Sequence, residues 1–290
     1  MIPNWNTIAE EYPGISVRSA QFIGEGWCFR SYLINGELVF RFPKRREQWT
    51  ELDREIKFLE FAADRLPLQV PRYEHAARSS EGAPFGYAVY RYVPGKAITV
   101  NSLTVPQRAA AAEALAEFLI ALHNLRPDAE LSSILPQEDA RVVAEQYFSD
   151  ATFKIAPQLP AAEAQALGRH FESYLSAPDN FIFRPSVLHA DFSADHILVQ
   201  DGRVTGVLDF GDVNWGDPDY DFMYLFVECG NPFLDELAKR YGHTDLARLR
   251  QKVHYFGIVD QIGTILDASL ALEGQVDEAW FRLKKFLKNS

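Results

Sequence analysis

The 290-residue sequence carries one dense run of reactive side chains, His189-Ala-Asp-Phe-Ser-Ala-Asp-His196, and thirteen residues later a second, Asp209-Phe-Gly-Asp212. Asp191 and Asp209 are hard oxygen donors, the kind that a metal–nucleotide complex requires from separate loops, because Mg²⁺ keeps near-octahedral geometry and bridges phosphate oxygens. Two short apolar runs, 197–199 and 204–208, lie between them with Asp201-Gly202 as a turn signal. Closing that hairpin brings both carboxylates to one mouth. A carboxylate within hydrogen-bond reach of an alcohol can accept or orient its proton.

The elements that must hold these residues read as two unlike halves. Residues 16–23, 30–34 and 38–42 are apolar and β-branched, with Gly24-Glu-Gly26 and Asn35-Gly36 between them, and Asn-Gly is a strong hairpin signal. Residues 49–66 space Leu52, Ile56 and Leu59 as an amphipathic helix, and 87–93 form a further strand closed by Pro94-Gly95. Beyond that dipeptide helix formers take over: 106–125, with Thr104 as N-cap, then 138–147, 161–175 and 241–285. The expectation is a bilobal α+β fold. It has a small five-strand lobe with one helix at 1–93 and a larger, mainly helical lobe at 94–290, with a ligand crevice between them.

Composition narrows the partners. Net charge is −11, from 40 acids and 29 bases, which argues against nucleic acid. Residues 189–236 hold eleven acids and one base, Arg203, a block that is either a solvated face or a collector of cations. No apolar run approaches the roughly 20 residues of a membrane span. The start of the chain has neither the basic nor the apolar character of a secretory signal, so the cytoplasm is expected, with no membrane partner. Two cysteines, Cys28 and Cys229, give no disulfide framework.

The stretch Leu188-His-Ala-Asp-Phe-Ser-Ala-Asp-His-Ile-Leu198, with Gly206-Val-Leu-Asp-Phe-Gly-Asp212 and Asp217-Pro-Asp-Tyr-Asp-Phe222, resembles the aminoglycoside phosphotransferases. The similarity is greatest to those that modify the 2″-hydroxyl, and the implied fold is protein-kinase-like. In order and spacing the resemblance runs from Gly24 to Phe222: Gly24-Glu-Gly26 stands at the nucleotide loop, Phe40-Arg-Phe-Pro-Lys44 at a phosphate-contacting cation, and Glu55 at the helix carboxylate.

That resemblance implies that Asp191 accepts or orients the substrate hydroxyl proton and that Asp209 and His196 hold Mg²⁺. His196 departs from the Asn that protein kinases keep, and either binds metal directly or acts through a water. At the strand position of the kinase lysine stands Arg41, which alternation turns toward the cleft and toward Glu55, with Lys44 as the other available cation. Gly24 and Gly26 would let backbone N–H groups approach a triphosphate. Tyr90 would set the depth behind the base, or serve as a core aromatic, and Arg91 and Val93 would bond the base through their backbone. The donor is ATP or GTP. The implied acceptor is a polycationic small molecule, drawn by Asp195, Asp212, Glu228, Asp235 and Glu236. Two other readings remain at this point: a kinase of the same architecture acting on a macrolide, choline, homoserine or sugar-like alcohol, and a non-catalytic nucleotide-binding pseudokinase. A monomer is expected.

Overall fold

The computed structural model describes residues 3–12, 15–79, 82–269, 272 and 274–288. The chain opens with α1 (Trp5–Glu11), then β1 (Ala20–Glu25), β2 (Phe29–Ile34), β3 (Leu38–Pro43), α2 (Trp49–Ala62), β4 (Tyr73–Ala77) and β5 (Tyr87–Arg91). The five strands make an antiparallel sheet in the order β1-β2-β3-β5-β4. Asn35 and Gly36 take φ of 56° and 74°, the left-handed pair that a tight hairpin turn needs to match strand twist. Alternation sorts the faces of β3. Phe40 and Phe42 meet Trp5 of α1 edge-on, with ring centroids 5.9 and 5.8 Å apart, while Arg41 turns to the opposite face, where α2 lies.

Three features of this half depart from the sequence reading. The first strand begins at Ala20 rather than residue 16, because the Asn35 side chain accepts from the Arg18 and Ser19 N–H groups (2.8 and 3.1 Å) and donates to the Ser16 carbonyl (2.9 Å). Those backbone groups find a side chain where strand pairing would have served. The short α1, capped by Asn4, joins the one helix expected on this half of the molecule, and β4, unassigned by the sequence, completes the sheet.

Helix α2 belongs to both parts. Trp49 and Leu52 pack with Phe29 and Ala88 under the sheet, whereas Phe58 and Leu59 enter the large core of the helical part. Gly95 (φ 147°) carries the chain across, and a Cβ there would stand 2.9 Å from Leu198 Cβ. The remainder comprises β6 (Lys96–Ala97), α3 (Val105–His123), α4 (Ala129–Ile134), α5 (Ala140–Asp150), α6 (Ala161–Ser176), β7 (Ser186–Leu188), β8 (Ile197–Gln200), β9 (Arg203–Val207), β10 (Asn214–Gly216), α7 (Met223–Tyr241), α8 (Leu246–Leu266) and α9 (Gln275–Lys288). Thr104 and Gln107 close a capping box on α3. Strand β8 pairs with β6 and β9, and β7 pairs with β10. Asp201-Gly202 turns the β8–β9 hairpin with φ of 53° and 74°. Helix α7 breaks at Gly230 (φ 77°) and resumes with Pro232 in its first turn. Among the described residues no helix is long and apolar enough to cross a membrane.

Candidate active site

The loop that leaves β7 is pinned from beneath. Asp221, 1% exposed, accepts the His189 N–H at Oδ2 (2.9 Å) and the Ala190 N–H at Oδ1 (2.8 Å). Its Oδ2 also lies 3.0 Å from His123 Nε2, whose ring reaches the Tyr241 hydroxyl at 2.8 Å. Burial lowers the pKa of His189 to about 4, so the ring is neutral at pH 7 and its Nε2–H donates to the Leu208 carbonyl at 2.9 Å. The ring leans on Phe210 at 4.6 Å. His189 thus links the Asp191 loop to the segment that ends in Asp209.

Four described non-glycine residues have positive φ. Asn35 and Asp201 make hairpin turns; the other two are Ala190 (65°) and Asp209 (62°), beside or at the two reactive carboxylates. Such conformations cost roughly 1–3 kcal/mol and persist where the surroundings over-determine them.

His196 sits between the carboxylates. Its Nδ1 is 3.3 Å from Asp191 Oδ2, and its Nε2 is 3.7 Å from Asp209 Oδ2. All three side chains reach solvent, at 29% for Asp191, 23% for His196 and 40% for Asp209. Burial raises the pKa of Asp191; His196 opposes that, and Asp212, Asp209 and Asp260 add to it. On His196 burial disfavours the charged ring, but Asp191 and Asp209 outweigh it and raise its pKa. Burial would likewise raise Asp209, yet Arg41 and His196 hold it at about 2.

Arg41, 5% exposed, ties the sheet to this centre. Its Nη1 donates to both Glu55 oxygens (2.8 and 2.7 Å) and to the Tyr73 hydroxyl (3.1 Å), and its Nη2 donates to Asp209 Oδ1 (2.9 Å). Glu55 is raised to about 6 by burial, against the pull of Arg41. Alternation along β3 therefore delivers one guanidinium to two acids on two different elements.

The donor set suits a metal carried in by phosphates. Among the described residues no group of three or more His, Cys, Asp or Glu is set for an ion. Magnesium accompanying a nucleotide asks a protein for one or two ligands and completes its shell with phosphate oxygens and water. Asp209 is ionised and open. His196 Nδ1 lies 3.0 Å from the Asp191 carbonyl, and donation there leaves Nε2, on the Asp209 side, as the nitrogen that would lose its proton to bind a metal.

The other candidates divide. Gly24 and Gly26 face open space, with nothing within 4 Å of an added Cβ, and neither has positive φ, so the turn itself does not demand glycine. Lys44 Nζ reaches this turn, 3.0 Å from Glu25 Oε1 and 3.2 Å from the Gly26 carbonyl. Tyr90 is buried and edge-on to Tyr73 at 5.3 Å; Val93 is buried; Arg91 projects outward to Glu74 at 2.6 Å.

Of the acids, Asp212 stands close enough to Asp191 for its charge to be felt there, and burial with Asp209 raises its own pKa. Asp195 is exposed on the turn just before His196. Glu228 braces that turn by accepting the Ala194 N–H at 2.7 Å. Asp235 and Glu236 each already hold an arginine. They follow the Gly230 break, where Asp235 pairs with Arg250 of α8 (2.9 Å to its Nε) and Glu236 with Arg240 (3.3 Å).

The sequence reading missed Asp260 on α8. It accepts from the Tyr224 hydroxyl and from Gln261 Nε2, both at 2.7 Å, and its charge acts on Asp191. Burial raises its pKa. The signal was present: Asp260 directly follows the apolar run from Tyr255 to Val259. Tyr220 and Tyr224 are raised by burial first and then by Asp260, and both also feel Asp191, so aromatic rings and acids share this side of the site.

Residues 19–256 match the phosphotransferase enzyme family, and the chain belongs to it. It is similar to a GDP and kanamycin complex of APH(2″)-IIIa at 28% identity, covering 99% of this chain and 98% of that one with a TM-score of 0.91. The GDP complex of a wild-type aminoglycoside phosphotransferase IIIa gives 28%, 98%, 97% and 0.91 for the same quantities. A macrolide 2′-phosphotransferase type I, at 21% identity, 98% and 99% coverage and a TM-score of 0.74, shares the fold. The kinase-like fold and the family expected from the motifs are borne out.

Proposed function

We propose that this phosphotransferase moves the γ-phosphate of ATP or GTP onto a hydroxyl of an aminoglycoside. The observation that supports it best is the His196 ring lying between Asp191 and Asp209, with Arg41 on the other Asp209 oxygen. Phosphoryl transfer asks a protein mainly to position the reactants and stabilise charge. Residues 1–93 would hold the nucleotide and 94–290 the acceptor. Gly24 and Gly26 leave room for a triphosphate, and Lys44 stands at the same turn. Asp191 orients the acceptor hydroxyl and takes its proton as that oxygen bonds the γ-phosphorus and the β–γ bridging oxygen leaves with the diphosphate. Mg²⁺, held by Asp209 and His196, would neutralise charge on the transferring group.

A cationic acceptor is favoured by composition. The charges of Asp212 and Asp260 act on Asp191, with Tyr220 and Tyr224 beside them, whereas the large, mostly apolar ring of a macrolide calls for apolar lining. The test combines purified protein and Mg²⁺ with ATP or GTP and a panel of kanamycin, gentamicin, a macrolide, choline and homoserine. Nucleoside diphosphate should be released in step with aminoglycoside consumed. Turnover of the macrolide, choline or homoserine alone would reassign the acceptor. Asp191→Asn should abolish nearly all turnover while sparing nucleotide affinity, and a rate within tenfold of the parent would remove Asp191 from its role.

A further inference from the structure

Helix α2 grips the segment beginning at Asp209 at three successive residues. Glu55 reaches Asp209 through Arg41 and accepts the Phe210 N–H. Phe58 packs on the Phe210 ring at 5.8 Å. Arg54 donates from Nη2 to the Gly211 carbonyl. Gly211 is buried, so that carbonyl needs a partner. The Arg54 Nε is itself buried without one, an unsatisfied donor carried along with the Nη2 bond.

We infer that Arg54 is a positioning residue: by holding the Gly211 carbonyl it fixes the left-handed turn at Asp209 and so aims the Asp209 carboxylate. The inference rests on the phosphotransfer reading, in which Asp209 meets a metal–nucleotide. Asp209 (φ 62°) is in the left-handed region, which an aspartate tolerates better than most side chains but which neighbouring contacts must still select. Arg41 holds the carboxylate end, and Arg54 holds the backbone two residues on. Without Arg54 the segment keeps the Arg41 pair and the Phe210 contact but loses the bond that sets the direction of the chain. Arg54 also lines an open cavity of about 160 Å³ with Trp49, Asp53, Lys57 and Arg78. Truncating it therefore enlarges a space that water already reaches, and the variant should fold.

The experiment compares the parent with Arg54→Met and Arg54→Lys. Amide hydrogen exchange of residues 210–213, without nucleotide or metal, should quicken at least tenfold in Arg54→Met. Mn²⁺ binding in the presence of a non-hydrolysable nucleotide analogue, followed by electron paramagnetic resonance, should weaken about tenfold. Arg54→Lys, which restores a cationic donor, should recover both to within about threefold. A purely structural role would lower thermal stability in both variants without moving the Mn²⁺ constant. Equal exchange and equal Mn²⁺ affinity in Arg54→Met and parent would overturn the inference. A parent protein that binds no Mn²⁺–nucleotide would overturn the phosphotransfer reading itself, and the role of Arg54 with it.

Discussion

Asp221→Asn is the substitution whose cost the structure fixes most closely. The carboxylate accepts three donors, the His189 and Ala190 N–H groups and the His123 ring, with 1% of the residue exposed. An asparagine of the same shape keeps its oxygen best where two of those donors meet, at the place of Oδ2. Its NH₂ then faces the Ala190 N–H, donor against donor. One hydrogen bond to a charged acceptor is lost and one part-buried N–H is left facing a donor, together about 2–4 kcal/mol. Against a total stability of roughly 5–15 kcal/mol this is large but survivable. Urea denaturation of parent and variant should show that loss. The amides of residues 189–191 should lose exchange protection, and turnover should fall because the loop carrying Asp191 is no longer held in its strained form at Ala190. A variant within 0.5 kcal/mol of the parent, with those amides equally protected, would refute the anchoring role.

Other outcomes follow from the same electrostatics. Burial and like charges raise the pKa of Asp191, so the acid limb of kcat/KM should lie above the ordinary carboxylate range. Asp260→Asn removes one of those charges and should move that limb down; a limb that stays or rises would exclude Asp260 from the site. Burial lowers His189 and His254 to about 4 in the folded chain, while the unfolded chain takes up these protons near 6.5. Stability from these groups is therefore complete above about pH 6.5 and falls through the window down to about 4, at up to about 1.4 kcal/mol per pH unit for the fully buried His189. His254→Phe, among Phe226 and Phe286, should make that fall shallower in urea midpoints measured from pH 7 to 4.5, and an unchanged slope would count against it. The KM of a cationic acceptor should rise with salt more than that of the nucleotide, because carboxylate–ammonium attraction is screened over about 8 Å at 0.15 M ionic strength. Equal salt dependence would speak against an acidic acceptor pocket.

What the sequence made legible is what local chemistry decides. Asn35-Gly36 and Asp201-Gly202 announce their turns because few residues tolerate positive φ, and Thr104 announces a helix because its hydroxyl satisfies an orphan N–H. Alternation was enough to face Arg41 toward Glu55. The extra start of the first strand was read wrongly because Asn35, distant in sequence, supplies the backbone partners of residues 16–19.

The acidic block shows where local reading ends. Nearness in sequence made Asp235 and Glu236 candidates beside Asp212 and Glu228, but the Gly230 break and two arginines on helical surfaces decide their surroundings instead. Asp260 lies outside the block and reaches Asp191 only because α8 packs against α7. A carboxylate whose charge is felt by the reactive group belongs to the site whatever its place in the chain, and one that already holds a guanidinium contributes little to a distant ligand. Counting acids therefore gives only the sign of charge that the proposed acceptor would carry, and the folded arrangement of α7 and α8 selects which acids would receive it.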